Sequence, residues 1–94
     1  MLIPTSSKAR RVEEQLDLGA KYLSELNYEQ AIVAYEAVIK IDPKCEEAYL
    51  ALADIYVMLG EIEKAEEILK RIEDVFGVDA IEIIEKIKEL KVRL

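Results

Sequence analysis

Residues 16–31 read LDLGAKYLSELNYEQA and residues 50–65 read LALADIYVMLGEIEKA. Laid over one another, they put Leu16 on Leu50, Leu18 on Leu52, Gly19 on Ala53, Tyr22 on Tyr56, Glu29 on Glu63 and Ala31 on Ala65, at a constant offset of 34 residues. Small residues fall on small ones and tyrosine falls on tyrosine. A tandem repeat of this length is one supersecondary unit copied along the chain. Such a unit cannot bury its apolar face alone and stacks on a neighbour.

Outward from these stretches the apolar residues recur at helical spacing: Val12, Leu16, Leu18, Tyr22, Leu23 and Leu26, then Ala31, Val38 and Ile39, then Tyr49, Leu52, Ile55, Tyr56 and Leu59. The interruptions carry their own signals. Asn27 with Gln30 three residues on predicts a reciprocal helix cap, and Asp42 before Pro43 predicts a cap followed by a first-turn proline. Gly60 and Gly77 stand where a helix would end in a left-handed residue, and Asp79 with Glu82 marks the next start. The spacing predicts five helices at about 8–25, 28–40, 43–59, 62–76 and 80–93.

The offset and residue types resemble the tetratricopeptide repeat, a helix-turn-helix of 34 residues. The first repeat, 12–45, carries Leu18, Gly19, Tyr22, Ala31, Tyr35 and Pro43 at the signature places, and the second, 46–79, carries Tyr49, Leu52, Ala53, Tyr56 and Ala65. Physically, Gly19 and Ala31 are small where two antiparallel helices approach, and Tyr22 and Tyr35 fill the space beside them; Ala53, Ala65 and Tyr56 repeat the arrangement. Some places depart from the pattern. Gln15 lacks the usual aromatic, Val38 and Ile72 replace a usual alanine, Leu69 stands where an aromatic is common, and Gly77 replaces the closing proline.

The resemblance implies an all-α solenoid of helix-turn-helix repeats in a right-handed superhelical stack, here one domain over 1–94 with a short tail at 1–7. Residues 80–94 are then a capping helix, because Lys86 and Ile87 fall where leucine and glycine would stand in a third repeat. Its stripe of Ile83, Ile84, Ile87, Leu90 and Leu94 would cover the second repeat, with Glu82, Glu85, Lys86, Lys88, Glu89 and Arg93 turned to water.

The resemblance also implies a non-enzymatic protein–protein interaction module that takes a peptide or helix in a groove lined by the first helix of each repeat. The groove residues are then Glu13, Leu16, Asp17, Ala20, Leu23 and Ser24 from the first repeat, with Glu47, Leu50, Ala51, Asp54, Val57 and Met58 from the second. They are apolar with acidic edges, which favours an apolar partner with basic flanks. Some members of the family clamp a partner's terminal carboxylate with lysine, asparagine and arginine. The matching places hold Leu16, Ala20, Ala51, Ile81 and Glu85, so that ligand is not expected. Asp17 and Asp54 lie one repeat apart and could be read as an acid/base pair, but repetition alone also produces carboxylates at this offset.

Composition narrows the choice. The chain has 94 residues, 52% of them apolar and 35% charged, with 3 Gly and 2 Pro, a balance suited to helices and unsuited to disorder. Twenty acids against 13 bases give a net charge of −7, which disfavours nucleic acid as a partner. Residues 13–79 alone hold 17 acids and 6 bases, a solvated acidic face, whereas Lys8, Arg10 and Arg11 make a basic start that either solubilises the first helix or meets such a face on another molecule. Without histidine and with Cys45 alone, imidazole catalysis and an intrachain disulfide are excluded, and no metal or cofactor is expected. The start, Met1 to Ser7, lacks the order of a secretion signal, and the most apolar run, 48–60, is too short to span a membrane, so no membrane partner and a cytoplasmic location are expected.

Two and a half repeats are few for a stable array. The apolar groove, or the stripe from Ile83 to Leu94, offers a seam for a homodimer. An alternative function follows, a structural or self-assembling repeat scaffold, natural or engineered, whose groove is filled by its own copy.

Overall fold

The computed structural model describes the backbone of residues 7–93 and the side chains of residues 7–89. Met1 to Ser6, on which the expected lack of a secretion signal bears, and the side chains of Leu90, Arg93 and Leu94 fall outside the described residues. Among the described residues every regular element is helical, in chain order α1 (Ser7–Ser24), α2 (Tyr28–Ile41), α3 (Glu46–Met58), α4 (Ile62–Phe76), a single 3-10 turn (Gly77–Asp79) and α5 (Ala80–Arg93). They form two compact units, the first running to Pro43 and the second starting at Lys44.

In the first unit α1 packs along α2. The turn between them closes with two crossed hydrogen bonds: the Asn27 N–H donates to the Tyr22 carbonyl at 2.8 Å, and the Leu26 N–H to the Leu23 carbonyl at 3.0 Å. That pattern requires a left-handed residue just past the helix end, and Leu26 takes the role at φ 60°. Asn27 then starts α2, its Oδ1 accepting from the Gln30 N–H at 3.4 Å. Ala31, Ala34, Tyr35 and Val38, spaced to share one face of α2, are all buried, and Gly19 is the buried residue of α1.

The expected start of the third helix is corrected. Asp42 is the cap that ends α2, its N–H donating to the Val38 carbonyl at 2.7 Å, and its extended backbone (φ −135°, ψ 94°) is the conformation a following proline imposes. Pro43 and Lys44 form a turn, and α3 starts only at Glu46, behind Cys45. Cys45 makes no side-chain cap, so the first turn relies on Glu46 and Glu47, whose negative charge suits a helix N-terminus.

In the second unit α3 is the central element, with Ala48, Tyr49, Leu52, Ala53, Ile55 and Tyr56 all buried. It packs against α4 and α5, which also pack on each other. From α4 come Ala65, Ile68 and Ile72, and from α5 come Ala80, Ile83 and Ile87, all buried. Tyr49 meets Phe76 edge to face, with ring centroids 5.5 Å apart at 82°. The α3–α4 turn repeats the crossed pair: Gly60 N–H to Val57 carbonyl at 3.0 Å, Glu61 N–H to Tyr56 carbonyl at 2.8 Å, with Gly60 at φ 74°. Gly77 also has positive φ, but its ψ of −124° lies outside the left-handed helical region expected for it. The chain there turns into the 3-10 segment instead of closing a crossed pair.

Candidate partner-binding surface

Consecutive helical residues are about 100° apart, so Glu13, Leu16, Asp17, Ala20, Leu23 and Ser24 share one side of α1. The structure leaves Glu13, Asp17, Ala20 and Ser24 exposed and Leu16 and Leu23 half-buried. The Ser24 hydroxyl is already used, donating from Oγ to the Lys21 carbonyl at 2.7 Å. On α3, Glu47 and Met58 are exposed while Leu50, Ala51, Asp54 and Val57 are half-buried. Apart from Glu46 at its start the rest of α3 is core, so these residues form its accessible side.

The remaining repeat positions divide as follows. Gly19, Ala31, Tyr35, Leu52, Ala53, Tyr56 and Ala65 are buried and Tyr22 is half-buried. Leu18 departs from its expected packing role and keeps 38% of its surface, and Pro43 is exposed in its turn. In the capping helix Ile83 and Ile87 are buried, Ile84 is half-buried, and Glu82, Glu85, Lys86, Lys88 and Glu89 are exposed.

Electrostatically, the start of α3 is partly neutralised. Lys86 of α5 donates from Nζ to Glu46 Oε1 at 2.7 Å, and this hydrogen bond, with the charge of Glu46, holds the ammonium above its ordinary range. Forty residues separate the partners, so no local pattern announced the pair. Two cations of α4 lie over α3 aromatics: Arg71 stands 5.7 Å from the Tyr49 ring centroid and Lys64 5.8 Å from that of Tyr56. Lys64 also reaches Glu61 at 3.5 Å. These contacts brace a scaffold; none of them aligns a nucleophile with a base. Asp17 lies exposed in the first unit and Asp54 half-buried in the second. Among the described residues no group of three or more Cys, Asp or Glu side chains is placed to hold a metal ion, and no helix is long and apolar enough to cross a membrane.

One feature of the first unit had a signal that alignment of the repeats could have revealed. Leu26 falls on Gly60 at the 34-residue offset, and the two share the same crossed hydrogen bonds and positive φ.

No solved structure matches the chain. The family model for the tetratricopeptide repeat matches residues 22–82, about two thirds of the sequence, from the end of α1 into the start of α5. With its helix pairs, its repeated turn and that match, the chain belongs to the tetratricopeptide repeat family.

Proposed function

We propose that this chain is a recognition module, without chemistry of its own, that holds an apolar segment of another protein flanked by lysine or arginine against the first helix of each repeat, α1 and α3. Tetratricopeptide repeats are in general protein–protein interaction modules, and the reading rests on one observation. The accessible side of α3 presents Leu50 and Val57 on one side and Ala51 and Met58 on the other of a line through the acids Glu47 and Asp54, and α1 presents Leu16, Ala20 and Leu23 beside Glu13 and Asp17. Apolar surface gives such a contact its affinity, and the acids set among and beside it favour basic residues next to the apolar ones and speed their approach.

A display library of short peptides tests the reading. Enriched peptides should carry apolar residues with basic flanks, and Ala20→Asp, on an exposed position, should abolish capture while the helical circular dichroism is unchanged. Charge reversal by Glu47→Lys with Asp54→Lys should switch the enriched flanks from basic to acidic. Enrichment indifferent to all three substitutions overturns the assignment.

The second reading, a scaffold occupied by its own copy, draws on Val78 and Ile81, which are 87% and 67% exposed at the start of the capping segment. Light scattering across a concentration series separates the two. A 10.7 kDa species throughout supports the module, and a dimer whose seam includes these residues supports the scaffold.

A further inference from the structure

The first unit carries a concave feature on the opposite side of α1 from the candidates above. A cleft of about 390 Å³ opens between α1 and α2, lined by Arg11, Glu14 and Gln15 from α1 and Ala37, Lys40 and Ile41 from α2. At about 100° per residue, Arg11, Glu14 and Gln15 centre roughly half a turn away from Glu13, Asp17 and Ala20, so a molecule in the cleft meets a different side of α1. The volume lies in the lower part of the roughly 300–1,000 Å³ range of ligand clefts and suits one large side chain with its neighbours.

The lining is ordered by chemistry. Ala37 and Ile41, both half-buried, give an apolar floor, and the half-buried Gln15 offers an amide donor and acceptor beside it. Arg11 on one helix and Lys40 on the other are exposed at the margins, with Glu14 the single acid. Two cations against one acid leave the wall at +1 in a chain of net charge −7. Lys8 and Arg10 precede Arg11 within one turn of α1. Glu36 and Asp42 lie as near to Ala37, Lys40 and Ile41 as Lys8 and Arg10 do to Arg11, so these flanking charges oppose one another and the sign at the cleft is set by its own wall, screening acting over about 8 Å.

We propose that this cleft is a separate docking site for an acidic segment of a partner protein, seating an apolar side chain on Ala37 and Ile41 with adjacent carboxylates between Arg11 and Lys40. The charge preference is opposite to that of the surface on α1 and α3, so the two sites accept different segments, and the proposal does not rest on the reading of that surface.

The test uses two capped hexapeptides on the full chain, one with a phenylalanine between aspartates and glutamates and the other its lysine-flanked counterpart, followed by amide chemical shifts. The acidic peptide should shift Gln15, Lys40 and Ile41 and bind at least about tenfold more tightly than the basic one, with affinity falling as salt rises. Arg11→Glu with Lys40→Glu should weaken it about tenfold, Gln15→Phe should exclude it by filling the cleft, and Glu14→Gln should tighten it by removing the opposing carboxylate. Each variant's amide spectrum reports whether the fold is retained, and Glu14→Gln, on an exposed position, keeps the test decisive if a filled cleft disturbs packing. Equal binding of the two peptides, shifts confined to other residues, or binding unaltered by Glu14→Gln overturns the proposal. So does a dimer that dissociates on the Arg11/Lys40 reversal, which assigns the cleft to a second copy of the chain.

Discussion

A methyl group built on Gly19 would stand 2.7 Å from Cζ of Tyr35, and 2.8 and 2.9 Å from its two Cε atoms. The ring is only 5% exposed, so it has little room to retreat, and the closeness of α1 to α2 depends on the hydrogen that glycine carries. Gly19→Ala gains about 1 kcal/mol of helix propensity but overpacks a contact of a kind that costs about 1–3 kcal/mol. We expect a net loss of up to about 2 kcal/mol in urea denaturation. The second repeat holds Ala53 and Leu69 at these two places, a larger small residue with a smaller large one. Gly19→Ala combined with Tyr35→Leu should therefore lose less than the two single losses added together, and strict additivity would contradict this account.

Leu26 should be stabilised by becoming glycine. It holds the left-handed position at φ 60° that Gly60 holds in the second repeat, and its side chain is 70% exposed, so little packing is lost on removing it. The backbone penalty for a side chain in that region is about 1–2 kcal/mol, offset in part by the larger unfolded-state freedom of glycine. Leu26→Gly should add about 0.5–1 kcal/mol and raise the melting temperature by a few degrees. Gly60→Ala should do the reverse at φ 74°, with the cost confined to the backbone because nothing lies within 4 Å of the added carbon. A melting temperature lowered by Leu26→Gly would mean that the exposed leucine has a packing partner.

These two positions also show what was legible in the sequence. Helix pairs and their register were, because the residues that set them recur within each repeat: Ala31 and Ala65, Tyr22 and Tyr56. The left-handed turn was half legible, since glycine marks it at Gly60 and leucine conceals it at Leu26. The start of α3 was misread because Asp-Pro is an equally good way to end a helix, and the Asp42 N–H is used in closing α2. Leu18 was placed in the packing by its spacing, yet spacing fixes only the side of α1 and not how much of a side chain its neighbours cover. The Lys86–Glu46 pair and the cleft beside Gln15 need distant residues brought together, which no window of sequence displays.

The Lys86–Glu46 pair predicts a particular pH dependence. Hydrogen bonding to Glu46 raises the ammonium above its ordinary value in the folded chain, so folding favours the protonated form. The stabilisation is fully present below the unfolded-state value near 10.5 and is lost as pH climbs through the raised folded value. Both side chains are well exposed, so the effect is small. Thermal melts of the unaltered chain and Lys86→Met should differ slightly at pH 7 and converge above the folded value, and added salt should narrow the gap at neutral pH. A gap that persists in strong alkali would assign the loss to the side chain's methylenes instead of its charge.

The capping helix should be held by its buried face and indifferent to its outer one. Ile87 is 1% exposed and Ile83 3%, in a unit where α5 packs on both α3 and α4, whereas Ile81 on the same helix is 67% exposed. Ile87→Ala removes buried carbon and leaves a cavity, at a cost of about 2–5 kcal/mol. Small domains have only about 5–15 kcal/mol in total, so this is a large share. Ile81→Ser should stay within about 0.5 kcal/mol. Hydrogen exchange should then show the α5 amides losing protection in Ile87→Ala well before those of α2. Equal loss throughout the chain would instead mean that both units unfold as one, and a cost at Ile81 matching that at Ile87 would show that its exposed face is covered by another molecule.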